Sequence, residues 1–267
     1  MSLDRSRAGG WAAYYGFFRR SLSAHLEYSG AVVMNLVATG VGYAFTVLVW
    51  RCALRSHMPA GFFAYLAWAF CVNFSLGVAF ERYVGDRIRE GLIATDLLKP
   101  ADYTWLFFWQ SLSDVVFQSL FGLAVLAVAW IVLGQAMAPA SGLAAAETVV
   151  SLGLAFFIQF HLGFLFVQMI FATHSNYGPF TTRMFLHTAF SGIFAPLDMY
   201  PHALRVVADW LPFRHVVYTP CALWLGRIQG PAALAALASQ VVWGLGLFIA
   251  SRFSFNLIRR QLTIQGG

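Results

Sequence analysis

The chain has 267 residues, of which 60% are hydrophobic, 17% aromatic and only 10% charged, with a net charge of +6. A mean hydropathy of +0.68 and a charge fraction far below the roughly 25% of soluble domains exclude a water-soluble fold of this size and point to a polytopic membrane protein. The basic excess follows from positive-inside placement of Arg and Lys, so nucleic acid is not expected as a partner.

The opening MSLDRSRAGG is not expected to be a cleavable leader, because the first long apolar run begins only near Gly30. Within residues 8–28, Trp11, Tyr15, Phe18, Leu22 and Leu26 recur at helical spacing, while Arg19, Arg20, Ser23 and Glu27 fall largely elsewhere. That pattern predicts an amphipathic helix lying in the membrane interface. A crossing helix needs roughly 20 apolar residues, and six segments meet or approach this: 30–50, 59–80, 114–134, 148–173, 178–197 and 232–254. The third is the clearest, being uncharged from Val115 to Ala146; the fifth is the weakest, interrupted by Arg183 and bounded by Pro179 and Pro196.

Between the second and third spans lies a cytoplasmic loop expected over 81–104, whose residues 81–102 hold a dense run of charge, ERYVGDRIREGLIATDLLKPAD. Asp86 to Glu90, including Arg87 and Arg89, can continue a helix out of the second span, and Gly91 can end it. Leu92, Ile93, Leu97 and Leu98 then form a small apolar knob between Asp96 and Lys99, and Pro100 turns the chain. An apolar knob on a charged stem suits insertion into a groove of a water-soluble partner.

Between the fifth and sixth spans, residues 196–231 are too apolar for a solvated loop. Pro196, Pro201, Pro212 and Pro220 break them too often for one helix. Two short helices are expected, near 202–210 and 215–225. Irregular backbone at membrane depth is tolerated only inside protein or along a cavity, which predicts a re-entrant or outer-leaflet element on the non-cytoplasmic side. With the N-terminus inside, twelve basic residues fall on the cytoplasmic side, Arg183 among them, against five outside. The expected fold is an all-α polytopic membrane protein forming a single permease domain over 1–267. It has six transmembrane helices, the N-terminal interfacial helix and the re-entrant helices, with both termini cytoplasmic.

Lys99 is the only lysine and proline follows it, so no Gly-Lys-Ser/Thr phosphate loop can form. No HExxH or GxSxG occurs, and the chain is not expected to be an enzyme. His161, His174 and His187 lie in or near the fourth and fifth spans, but no Asp or Glu lies between Glu147 and Asp198 to join them. They are expected at helix interfaces rather than around a metal, with Gln159 and Gln168 as interhelical hydrogen-bonding groups. Asp114 and Glu147 are expected at opposite membrane boundaries, without burial. Cys71 is expected buried, and a disulfide between Cys52 and Cys221 is left open.

The run Ile88-Arg89, Gly91, Ile93, Leu97-Leu98-Lys99-Pro100 resembles the first cytoplasmic loop of ABC-2-type transporter permeases, in the branch described as uncharacterised ABC-2 family transport permeases. Pro196-Leu197, Tyr200-Pro201, Leu211-Pro212-Phe213, Tyr218, Pro220 and Gly226 resemble that branch's external segment, and Arg259-Arg260, Leu262, Ile264, Gly266-Gly267 its end. Leu92 stands where the family loop often carries an acidic residue. The resemblance implies a permease of the bacterial inner membrane, paired with itself or a related permease and with two copies of a cytoplasmic ABC ATPase that would hold ATP and Mg²⁺. No cofactor is expected on this chain. The resemblance further implies that 86–100 is the coupling helix, and that spans two and five line the substrate path; there Phe70, Phe74 and Phe185 would suit an apolar cargo, and Asn73 and Thr188 are the polar groups to test first. A hydrophobic or amphipathic substrate moving outward is expected. The alternatives are a self-contained ion-coupled carrier or a non-transporting scaffold.

Overall fold

The computed structural model describes residues 10–27, 29–54, 59–77, 80–92, 102–173, 175 and 177–265, and every regular element among them is helical. The amphipathic start is helix α1 (Gly10–Glu27), followed by α2 (Ser29–Leu54). Phe18 and Leu22 of the α1 stripe are half-buried, Phe18 edge-on to Trp109 at 6.5 Å, while Tyr15 remains 64% exposed. The helix therefore lies along a neighbouring helix rather than on lipid alone.

The expected second span (59–80) holds α3 (Phe62–Ser75), and the helix expected to continue out of it is a separate one, α4 (Phe80–Arg89). No proline causes the break. The amide of Gly77 turns back to Phe74 O in a tightened turn at 3.3 Å, and its carbonyl accepts from Gln118 Nε2 at 3.3 Å. A side-chain amide thus replaces the next helical donor. At 14 residues α3 spans only about 21 Å, short of a hydrocarbon core of about 30 Å.

Helix α5 (Tyr103–Leu133) starts well before the expected 114, capped by Asp102, whose carboxylate accepts from Trp105 N. Asp114, expected without burial, lies inside the helix and is only 3% exposed, beside buried Ser111 and Ser113. After a 3₁₀ turn over Gly134–Met137 comes α6 (Gly142–Gln168), capped by Ser141, and a short continuation α7 (Ile170–Thr173). Helix α8 (Tyr177–Phe190) is shorter than the expected 178–197, because the chain leaves helical geometry at Ser191 and takes a left-handed turn at Gly192 (φ 85°).

The segment 196–231 holds α9 (His202–Asp209), a 3₁₀ turn over Pro212–His215, and α10 (Tyr218–Trp224), close to the two short helices expected there. The chain ends in α11 (Pro231–Gln265). Among the described residues, four segments are long and apolar enough to cross a membrane: Val37–Leu54, Tyr103–Met137, Gly142–Thr173 and Pro231–Arg259.

Helix α3 is the centre of the bundle, with Phe62, Tyr65, Leu66 and Ala69 almost fully buried. They pack with Phe156, Ile158 and Leu162 of α6, and with Phe213, Val217 and Tyr218 of the 196–231 segment. A second cluster near α4 joins Phe80, Val84, Phe107, Phe160, Phe164 and Phe255. Polar bonds pin α6 to α11: His161 Nδ1 lies 2.9 Å from Ser251 Oγ, Gln168 Nε2 donates to Ser251 O at 3.0 Å, and Gln240 Nε2 donates to Ser151 O at 3.2 Å. Cys52 is exposed, Cys71 and Cys221 are buried, and all three are free thiols.

Candidate functional site

Helix α4 is the arm on which the charged segment begins. Its inward stripe is Phe80, Glu81, Val84 and Gly85, while Tyr83, Asp86 and Glu90 face outward. Arg87 lies half-buried with its guanidinium over the Tyr83 ring at 5.5 Å. The helix stops at Arg89, Glu90 follows in a turn, and Gly91 takes the left-handed conformation (φ 74°) with its amide bonded to Ile88 O at 3.1 Å. Leu92 is 40% exposed at the end of that turn. The side chain of Arg89, and Ile93, Asp96, Leu97, Leu98, Lys99 and Pro100 of the expected knob, lie outside the described residues.

Where the chain re-enters the structure, Asp102 binds three elements together. Arg252 of α11 donates to its Oδ1 at 2.7 Å, its own backbone N–H donates to Tyr14 Oη of α1 at 3.2 Å, and it caps α5. Partial burial would raise its carboxyl, but the Arg252 hydrogen bond and charge, with the backbone amides of the first turn, hold it below the usual carboxylate range.

Upstream, the arm is tied by a different contact. Arg183 Nε donates to Glu81 Oε2 at 2.8 Å, and both side chains are nearly inaccessible at 4% and 3%. This corrects two expectations: Glu81 is not a wet charge of the loop, and Arg183 is not a free cytoplasmic cation between spans. Gly163 of α6 makes the approach possible, since a methyl group there would collide with Glu81 Oε1. Beside the pair is a cavity of about 400 Å³, lined by Glu81, Asp86, Phe166, Tyr177, Phe180 and Thr181 among others. The signal for this pair was present in the sequence: one acid at the end of an apolar run and one arginine inside another, each in need of a partner.

The expected path residues fall in two places. Phe70 and Phe74 are buried and line a small crevice against Tyr43 of α2 and Gly122 of α5. Phe185 on α8 is 69% exposed, and Thr188 is half-buried. Asn73 joins α3 to α8, its Oδ1 lying 2.8 Å from His187 Nε2.

In the 196–231 segment, Pro196, Pro212, Phe213 and Pro220 are buried while Pro201 is exposed at the start of α9. Gly226 ends α10 with φ 67°. Tyr218 Oη donates to Asp198 Oδ1 at 2.6 Å, and Arg227 approaches the same carboxylate at 3.5 Å. Trp68 and Trp224 both donate to Met137 O, at 3.3 and 2.8 Å, with their rings 4.4 Å apart.

A family model described as "ABC-2 family transporter protein" matches residues 63–266, from the second residue of α3 through α11. No curated protein matches the chain.

Proposed function

The chain belongs to the ABC-2 transporter family, and on that premise we propose that it is the membrane permease subunit of an exporter driven by a separate cytoplasmic ATPase. The observation that carries this is the family match over residues 63–266, which takes in the charged arm, three of the four long apolar helices and the external segment. A sole lysine followed by proline supports assigning ATP and Mg²⁺ to the partner.

In this reading the chain crosses the inner membrane six times, with α3–α4 and α8 as the second and fifth crossings and both termini in the cytoplasm. Two permeases, identical or related, would sit on two ATPase copies. Residues 86–100 seat on the ATPase, with Arg87, Arg89 and Glu90 as the charged stem. Gly91 provides the turn, and Leu92, Ile93, Leu97 and Leu98 form the apolar insert between Asp96 and Lys99. The external element over 196–231 closes the outer end. Nucleotide-driven closure of the ATPases then shifts the arms, and the bundle exchanges an inward-open for an outward-open state. The protein's contribution is differential contact in the two states, not bond chemistry. A hydrophobic or amphipathic cargo fits walls built from Phe70, Phe74 and Phe185.

Purification of the tagged protein from its native host into nanodiscs tests this. A P-loop ATPase is expected to co-purify, and to be lost when residues 92–99 are replaced by Gly/Ser while the permease stays folded. Recovery of other membrane complexes without any ATPase would refute the assignment, and retention of the ATPase after the replacement would refute the docking role of the segment.

A further inference from the structure

Helix α8 meets the bundle in an unusual way for an apolar environment. Its buried residues are Pro179, Arg183 and His187, spaced by four and therefore on one stripe, while Tyr177 and Phe185 face outward at 79% and 69% exposure. The inward stripe thus carries an arginine and a histidine where leucines would ordinarily pack. Each makes one directed contact: Arg183 to Glu81 at 2.8 Å, and His187 to Asn73 at 2.8 Å. The two partners lie on opposite sides of the interruption between Ser75 and Phe80, Asn73 on α3 and Glu81 on α4.

The two rungs differ in what holds them. Helix α3 is buried along almost its whole length and fixed in the main core. Helix α4 is amphipathic, packs by one stripe, and leads directly into the charged segment. Beside its rung lies the 400 Å³ cavity, and Glu81 Oε1 and Arg183 Nη1 are buried without a hydrogen-bond partner. Apolar side chains tolerate sliding, whereas a buried ion pair is directional and costly to part, because separation leaves a charge uncompensated. An arm that moves must therefore carry Arg183 with it, while His187 stays with α3.

We infer that Arg183 and His187 are positioning residues that convert displacement of the α4 arm into a tilt of α8, with the Glu81–Arg183 rung as the driven contact and the Asn73–His187 rung as the fulcrum. The inference rests on the permease reading above, which supplies the force on α4. A tilt about His187 displaces the Tyr177 end of α8 most and Phe185, next to the fulcrum, least. It also opens or closes the cavity that Tyr177 and Glu81 share.

The test uses the full chain with its co-purified ATPase in nanodiscs, in a Cys52→Ser background. Spin labels are placed on Val132→Cys of α5 (76% exposed in the unsubstituted chain) and on either Tyr177→Cys or Phe185→Cys. Distances are compared between nucleotide-free and ATP–vanadate-trapped complexes. The expected result is a larger shift at 177 than at 185. In Glu81→Gln/Arg183→Gln, which removes both charges and leaves an amide nitrogen at the position of Arg183 Nε for one hydrogen bond, the shift at 177 is lost while the ATPase remains bound and active. A 177 shift that persists undiminished in that variant, or no shift in the unsubstituted complex, overturns the inference and leaves the permease reading standing. Should the double variant not fold, Asn73→Ala decides: loss of the fulcrum is expected to remove the difference between the two label sites, and a difference that survives overturns the inference. Absence of any co-purified ATPase is a separate outcome that removes both readings.

Discussion

Gly163→Ala is a one-carbon change whose cost can be worked from the packing around it. The new methyl group would collide with Glu81 Oε1 and lie 3.0 Å from Cδ and 3.3 Å from Cγ of the same side chain. A flexible surface glutamate would swing aside, but this one is buried and holds Arg183 at 2.8 Å. If the carboxylate stays and the backbones separate, overpacking costs about 1–3 kcal/mol. If the carboxylate leaves, the cost is that of breaking a buried pair, about 3–5 kcal/mol. Alanine returns about 1 kcal/mol through helix propensity in either case. Because the clash falls on the charged end itself, the second route governs, and a net loss of about 2–4 kcal/mol is expected. The control is on the same helix: a methyl at Gly153 meets nothing within 4 Å, so Gly153→Ala is expected to be neutral or stabilising by up to about 1 kcal/mol. Both are read by denaturant or thermal unfolding in one detergent. Equal stability of the two variants would refute the packing argument and the buried pair with it.

Asp102→Asn keeps a competent helix cap but removes the charge facing Arg252, a half-exposed pair, so a loss of only about 0–1 kcal/mol is expected in the same unfolding assay. Asp102→Ala also loses the cap and is expected to cost about 1 kcal/mol more. The Asp102 carboxyl titrates below its unfolded value, so its contribution is complete above about pH 4 and is lost as pH falls through the folded value. The Asn variant is expected to lack that acid-side decline, and an unchanged pH profile would count against the pair. Tyr65→Phe leaves the Gly192 carbonyl without the donor now 2.7 Å away in the core, for an expected loss of about 1–3 kcal/mol. A membrane-impermeant maleimide added to intact cells is expected to label Cys52, near the end of α2 that the proposed orientation places outside, and not buried Cys71 or Cys221; labelling of Cys52 only after lysis would reverse the proposed orientation.

Much of this architecture was legible because membrane helices announce themselves by composition. The apolar runs gave α2, α5, α6 and α11, and the prolines at 201, 212 and 220 gave the broken 196–231 segment with its two short helices. Helix ends were read less well, since hydropathy marks the lipid-facing stretch and not the helix. The first turns of α5 are aromatic and part-buried rather than uniformly apolar, yet Asp102 three residues before Trp105 is a cap signal independent of hydropathy. The break between α3 and α4 had only Gly77 to betray it, and a glycine alone does not predict that Gln118, 41 residues away, will take its carbonyl.

Arg183 exposes the limit of counting charges. Positive-inside reasoning treats every arginine near a membrane boundary as a free cation that stays in water, and by that rule Arg183 marks a loop. The rule holds for unpaired charge, whereas Arg183 is neutralised by Glu81 across a sequence separation of 102 residues, a contact no local window can register. Removing it from the tally leaves the orientation argument intact, because the expected cytoplasmic excess rests on the two chain ends and on the segment around Arg82, Arg87, Arg89 and Lys99. What changes is the meaning of the fifth apolar run. Read as a weak crossing spoiled by a charge, it has no purpose; read as a helix held by one ion pair and one histidine–asparagine contact, its low hydrophobicity is the property that ties it to α4 and α3. A helix attached by leucines would be as stable and would not be obliged to follow the arm.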